Sequence, residues 1–441
     1  MENLKELLKE YEIEHTDEIL FTLEESEASI RLPKRIIADV RQALKGVDIS
    51  FIHYNNDTAF ELILIILTNF TFVKLKGVYY DSDYVNNNFI NLSSKILKQQ
   101  VGTYNSRYKK ILNLLIEHRF IEQGTSYKQN VKCISYKIAD KYFTFKIEKY
   151  SLKTSYALKL HKQNRRKFNL DIFENTIAKN EILNSHYIET PSEDEALIEL
   201  RKQSKKKWVN KKGKQLKVLG KKKREDKYVY VEDYLELYKL LKDHFKLPKV
   251  LGPNAGYRVM TKYNTIPSII RKLLKIDGKT LVGLDFSCFQ PNLANRIYGE
   301  QLEAPLSHIE AADYLTTLNK YKGLKEEDRL KKAKTEHLSF FNKKIEMMKR
   351  SPLYTFYSEK HPSLLRNIIT DKTDNGYKSV SKKMFTTEVR VMTEIVKRCM
   401  RAGIITVYVY DELMVEEDFV DDVKYIMQEV CEEQKLKLKI K

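Results

Sequence analysis

The tightest constraint on this chain comes from two apolar runs that each end in carboxylate. One is Leu281-Val-Gly-Leu-Asp285-Phe-Ser-Cys-Phe-Gln290-Pro; the other, far downstream, is Ile404-Ile-Thr-Val-Tyr-Val-Tyr-Asp411-Glu412-Leu-Met-Val. β-Branched and aromatic residues at this density read as strands. In the second run apolar residues flank the acid pair on both sides, so the economical fold is a hairpin that buries its flanks and presents Asp411 and Glu412 at its tip. Adjacent carboxylates on such a turn repel one another, and a cation relieves the repulsion. Either run alone is equally compatible with a core strand that happens to end in an acid.

Side by side, two strand-end aspartates have a definite chemical use. Mg²⁺ is commonly held by one or two carboxylates plus substrate phosphates. Two such ions about 4 Å apart clamp the attacking and leaving oxygens of an in-line displacement, which is the geometry of nucleotidyl transfer. The charge balance agrees: 79 Lys and Arg against 60 Asp and Glu leave +19, which favours a polyanionic partner, nucleic acid first. A membrane surface is the competing polyanion. No apolar run of about 18 residues and no signal-peptide pattern is found, so no membrane association and a cytoplasmic location are expected. Cys133, Cys288, Cys399 and Cys431 are scattered, with no CxxC pair and no histidine at a zinc-type spacing, and read as reduced thiols. The 28 tyrosines and 19 phenylalanines interleave with lysine, a combination that stacks bases while holding phosphates, although most aromatics belong to cores.

At 441 residues the chain has room for two or three domains, and three regions separate by pattern. Residues 1–148 open with an acidic amphipathic stretch, followed by Thr58 to Phe70, which reads as a buried helix. Asn91 to Lys98 reads as a short capped helix, Val101-Gly102 as a turn and Ser106 to Glu117 as a second helix. Phe120 to Glu122 and Cys133 to Ile138 read as strands joined by a polar loop. This succession resembles a winged-helix domain. The resemblance implies that the second helix enters the major groove, with Ser106, Arg107, Lys109 and Lys110 as contacts; winged helices also serve as protein-docking modules. Residues 149–250 are polar and basic, with charge runs from Arg201 to Lys214 and from Lys221 to Arg224. Such runs grip a duplex backbone or are simply solvated. Residues 251–441 carry both acidic runs.

This last region resembles the palm and fingers of family A polymerases, the group of bacterial DNA polymerase I, with partial echoes of single-subunit phage-type RNA polymerases. Asp285-Phe286-Ser287 is similar to motif A and Tyr410-Asp411-Glu412 to motif C of that family. Gly256-Tyr-Arg258 and Ile266-Pro267 look like the stretch before motif A that touches the primer end. Phe356 to Pro362 looks like the segment after the fingers helix. The resemblance implies an α+β right hand with an antiparallel palm sheet, preceded by the winged-helix domain and a basic, helical, thumb-like segment. It further implies two Mg²⁺, with Mn²⁺ as an alternative, held by Asp285, Asp411 and the backbone carbonyl of Phe286. Glu412 would support the metal or the primer terminus.

Between the motifs, the fingers helix would use Arg329, Lys331 and Lys334 for the triphosphate and Phe340 or Phe341 for the base. The register is not unique, because Leu338 lies where an aromatic one turn after Lys334 would be, and a lysine-rich helix with a solvated face fits too. Gln290 stands where DNA-synthesising members carry a glutamate that excludes ribose, and Tyr410 replaces the usual histidine. The expectation is therefore a template-directed DNA polymerase of phage or mobile-element type. It would act on primer–template DNA, or RNA, with nucleoside triphosphates and without a proofreading exonuclease. The alternatives are a replication initiator or DNA-binding protein with a degenerate palm, and an RNA-making or template-independent nucleotidyltransferase.

Overall fold

The computed structural model describes residues 28–74, 89–102, 106–124, 133–144, 146–167, 174–210, 213–220, 225, 227–242, 248–299 and 304–441. The acidic opening, the polar loop between the two N-terminal strands and the Lys221–Arg224 run lie outside them. The chain is mixed α+β with several small sheets, nearly all antiparallel, and divides into two compact units. One comprises residues 1–170, 193–208 and 214–245; the other comprises 171–192, 209–213 and 246–441. The basic middle region is thus shared between the two units. Among the described residues no helix is long and apolar enough to cross a membrane.

In the first unit, β1 (Ser29–Pro33) pairs with the later β5 (Ile147–Ser151). Helix α1 (Asn56–Leu67) is buried almost throughout, as its apolar run requires, and Asn55 caps it by accepting the Thr58 N–H at 2.8 Å. There follow β2 (Ile90–Asn91), α2 (Ser94–Val101), α3 (Arg107–Glu117), β3 (Ile121–Gln123) and β4 (Ser135–Ile138), the three strands forming an antiparallel sheet in the order β2-β4-β3. Helix α3 buries Tyr108, Ile111, Leu112 and Leu115, leaving Ser106, Lys109 and Asn113 exposed on the opposite side. Glu61, buried within α1, accepts the N–H groups of Lys153 and Thr154 at 2.5 and 2.9 Å, which fixes the chain entering α4 (Ser155–Lys167). Two further helices, Glu193–Lys205 and Val231–Lys242, pack together in this unit.

The second unit is organised by one sheet in the order β9-β10-β8-β7-β6. The strands are β6 (Ile188–Glu189), β7 (Lys275–Ile276), β8 (Lys279–Ser287), β9 (Val407–Val409) and β10 (Glu412–Glu416); β11 (Lys439–Ile440) also pairs with β8. Asp277-Gly278 joins β7 to β8 with φ of 47° and 74°, the positive pair that a two-residue Asp-Gly hairpin demands. The edge strand β9 is covered by α5 (Thr176–Asn184), whose Asn180 amide donates to the Thr406 carbonyl while Glu181 accepts the Tyr408 N–H at 2.7 Å. Covering an edge in this way blocks stray pairing.

Besides α5, the longer helices of this unit are α6 (Phe289–Tyr298), α7 (His308–Tyr314), α8 (Glu326–Phe340), α9 (Pro352–Lys360), α10 (Pro362–Asn375), α11 (Ser379–Arg401) and α12 (Val420–Glu433). Residues of α6 to α10 share an aromatic-rich core around Phe340, Phe341, Phe356 and Tyr357, which the start of α11 completes.

Candidate active site

Strands β8 and β10 pair with Asp285 opposite Glu412, Gly283 opposite Met414 and Leu281 opposite Glu416. The Lys441 N–H donates to the Asp285 carbonyl at 2.9 Å, so the main chain of Asp285 faces β11 and that of Phe286 faces the β9–β10 hairpin. Asp285 and Glu412 therefore form the closer kind of cross-strand pair, with side chains on one face. Asp411 sits in the two-residue turn between Val409 and Glu412. Tyr410, the first turn residue, takes φ of 61°, a conformation glycine adopts freely and other residues at a cost of about 1 kcal/mol. Two points of the hairpin expectation change. The tip is Tyr410-Asp411 rather than Asp411-Glu412, and all three are half-buried rather than exposed.

Glu412 leans along the sheet over Gly283. A Cβ built there would lie 2.4 Å from its Oε1, so glycine makes the space that the carboxylate occupies. Its other oxygen accepts from Arg271 at 3.2 Å. Next to this face, the Arg258 guanidinium makes a two-pronged pair with Glu388 on α11, and the Gln290 amide donates to the same carboxylate at 2.5 Å. Arg258 also lies 3.7 Å over the Phe385 ring and 5.4 Å from that of Tyr410. Gly256 permits the approach: at φ of 64° it sits against the Phe385 backbone, where a Cβ would come within 2.5 Å. Burial pushes the Glu388 carboxyl up to about 7, against the pull of Arg258, and the Asp411 charge adds to the rise.

Glu388 is the residue that motif reading missed. Its signal is a lone acid in the apolar stripe of Met384, Val391, Met392 and Ile395 on a long helix.

The other residues expected to bind a ligand divide between core and surface. Phe340 and Phe341 are core residues, 0% and 1% exposed, packed on Tyr357, and neither ring is available to cover a base. Lys331 and Lys334 are exposed on α8, and the half-buried Arg329 donates to the Leu324 carbonyl. Arg107 is likewise no surface cation. It is buried, donating to the carbonyls of Ile52 at 2.8 Å and Val101 at 2.7 Å and to the Tyr156 hydroxyl. The reason is positional: one helical step separates it from Ser106, and that step turns it into the core. Lys109 is exposed, while the half-buried Lys110 reaches the Phe51 carbonyl at 3.3 Å.

The described residues bring three metal-ligating donor atoms within 4.8 Å of one another at Cys288, His308 and His337, not at the carboxylates. Burial lowers His308 to about 4 and His337 to about 3, and raises the Cys288 thiol to about 12. All four cysteines are free, as their reading as reduced thiols has it; the two histidines beside Cys288 lie on different helices, where no sequence spacing links them to it. No family model and no curated protein matches the chain.

Proposed function

We propose that the second unit is the palm and fingers of a family A-like polymerase that transfers nucleotides by a two-metal mechanism. The observation that carries this reading is register: Asp285 and Glu412 are cross-strand partners, and Asp411 adjoins Glu412 in the hairpin turn. The all-oxygen donor set of Asp285, Asp411 and the Phe286 carbonyl suits Mg²⁺. Bound there, Mg²⁺ would supply the positive charge that lowers the pKa of a primer 3′-hydroxyl and offsets the charge of the leaving pyrophosphate. The protein's own contribution is positional. Arg271 holds Glu412 aside, leaving the two aspartates as ligands. Glu388 locks Arg258 and Gln290 beside them, where a primer end and an incoming sugar would lie. Lys331 and Lys334 are the cations that α8 offers to a triphosphate.

In the first unit, the order helix, strand, helix, helix, strand, strand, with sheet order β2-β4-β3, supports the winged-helix reading. Ser106, Lys109 and Asn113 form its candidate reading face, and a net charge of +19 suits a nucleic-acid partner.

A second reading, a nucleic-acid-binding palm without catalysis, is favoured by two observations. Glu388 already engages Arg258 and Gln290, and the aromatics of α8 are in the core. Primer extension with purified protein on a defined DNA template separates the two. Deoxynucleotide incorporation that needs Mg²⁺ and is lost in Asp285→Asn and Asp411→Asn is the expected result. Binding without incorporation establishes the second reading, and preference for ribonucleotides or untemplated tailing moves the protein to another class of transferase.

A further inference from the structure

Beyond the turn that ends β8, three side chains from separate helical segments converge. Cys288 precedes α6 at φ of 56°, His308 begins α7, and His337 lies near the end of α8. The Cys288 Sγ is 3.5 Å from the His308 Nδ1, and that nitrogen is 2.8 Å from the His337 Nδ1. The His337 Nε2 is 2.9 Å from the Tyr357 hydroxyl. Cys288 and His337 are buried and His308 is half-buried.

From this convergence we propose that Cys288, His308 and His337 form a binding site for a borderline-soft divalent metal, Zn²⁺ above all, separate from the carboxylate site. The geometry is close to what the ion needs. Tetrahedral zinc, with Zn–S of about 2.3 Å and Zn–N of about 2.0 Å, separates S from N by about 3.5 Å and N from N by about 3.3 Å. The Sγ–Nδ1 distance already has the required value. The two imidazoles need to part by about half an ångström, from a contact in which two ring nitrogens share one proton, to one in which a metal takes that proton's place.

Ligation through Nδ1 leaves the His337 Nε2–H to donate to Tyr357, the outer partner that orients a ligating imidazole. Three protein ligands leave a fourth position for water. Thiolate and imidazole select Zn²⁺ over the Mg²⁺ that carboxylates prefer, so the two sites would not compete for an ion. The metal would tie the end of the Asp285 strand to α7 and α8, three segments that no disulfide joins.

The test uses the full chain, stripped with a chelator and reloaded with Co²⁺ as a spectroscopic stand-in for Zn²⁺, without nucleotide or nucleic acid. The proposal expects uptake of about one equivalent per chain and a thiolate-to-cobalt charge-transfer band in the near ultraviolet. Cys288→Ser should abolish the band, and His308→Asn should weaken Co²⁺ binding by about tenfold or more. Cys399→Ser and Cys431→Ser should leave the band intact. Asp285→Asn should also keep it, which makes the result independent of the polymerase reading. Wild-type protein that takes up less than stoichiometric metal, or shows no thiolate band, overturns the proposal without recourse to any variant. A band that survives in Cys288→Ser overturns it as well.

Discussion

The central sheet and helix α8 belong to the same unit and use their polar and aromatic residues in opposite ways. At the sheet, Asp285, Asp411 and Glu412 stay half-accessible near a strand end and in a turn, with Arg271 paired to Glu412 and Arg258 over the neighbouring Tyr410 ring. On α8 and at its C-cap, His337, Phe340 and Phe341 turn inward, while Lys331, Lys334, Thr335 and Leu338 face water. The difference follows from geometry. A strand has two faces and its register is set by its turns, so one pairing fixes every side chain along it. A helix rotates each successive residue by about 100°, and which part of its surface meets the core is decided by its neighbours. Chemistry assigned to a strand end is therefore robust, whereas chemistry assigned to a helix position depends on packing.

The sharpest test of that contrast is loss of function at the sheet with stability unchanged. Asp285→Asn or Asp411→Asn should lower Mg²⁺-dependent nucleotide incorporation by about a thousandfold, equivalent to about 4 kcal/mol of transition-state stabilisation. Both substitutions are nearly isosteric at half-buried positions, so the urea midpoint should hardly move. An asparagine variant that keeps wild-type activity would remove the sheet from the catalytic account.

On α8 the balance should invert. Phe341→Ala should cost about 3–4 kcal/mol of stability, as truncation of a fully buried aromatic does, and whatever protein remains folded should retain its affinity for nucleoside triphosphate. Lys334→Ala should do the reverse, leaving stability within about 0.5 kcal/mol and weakening triphosphate binding. Denaturant titration and nucleotide binding on the same preparations read both. Weakened nucleotide binding in folded Phe341→Ala would return the ring to the site.

The N-terminal unit contains the same contrast within one helix. Arg107→Ala should cost about 2–3 kcal/mol, because the carbonyls of Ile52 and Val101 lose a charged donor in the interior. Lys109→Ala should leave stability alone, lower nucleic-acid affinity evenly across sequences and reduce the salt slope by about one. Equal effects of the two on binding, with equal stability, would mean that Arg107 leaves its buried partners to reach the ligand.

The same geometry explains how much could be read from residues alone. The strand through Asp285, which runs on to Ser287, the strand leading into the Tyr410-Asp411 turn, the buried helix Asn56–Leu67 and the Ser135–Ile138 strand follow from local pattern, because two-residue alternation and turn chemistry act over a few positions. The placing of Glu388, Gly283 and the Cys288-His308-His337 cluster does not. Each depends on a contact between segments distant in the chain, and no spacing rule encodes it. Arg107 shows the intermediate case, with its helix legible and its direction along that helix not.

The remaining effect is a pH dependence at the sheet's covered edge. Glu181 is buried beside β9, accepts the Tyr408 N–H through Oε1, and has no hydrogen-bond partner for Oε2 among the described residues. Burial raises its carboxyl from 4.5 to about 8, only partly offset by the Tyr408 N–H and the charge of Lys262. Between those two values the folded chain keeps a proton that the unfolded chain has lost. Stability contributed here is therefore complete below about pH 4.5 and falls as pH rises towards 8, by at most about 1.4 kcal/mol per unit. Glu181→Gln keeps the acceptor for Tyr408 and removes the titration. Its urea midpoint should match wild type near pH 5 and exceed it progressively up to pH 8. Parallel curves across that range would mean that Glu181 ionises without penalty, and that β9 is held through Asn180 and the sheet instead of through a neutral acid.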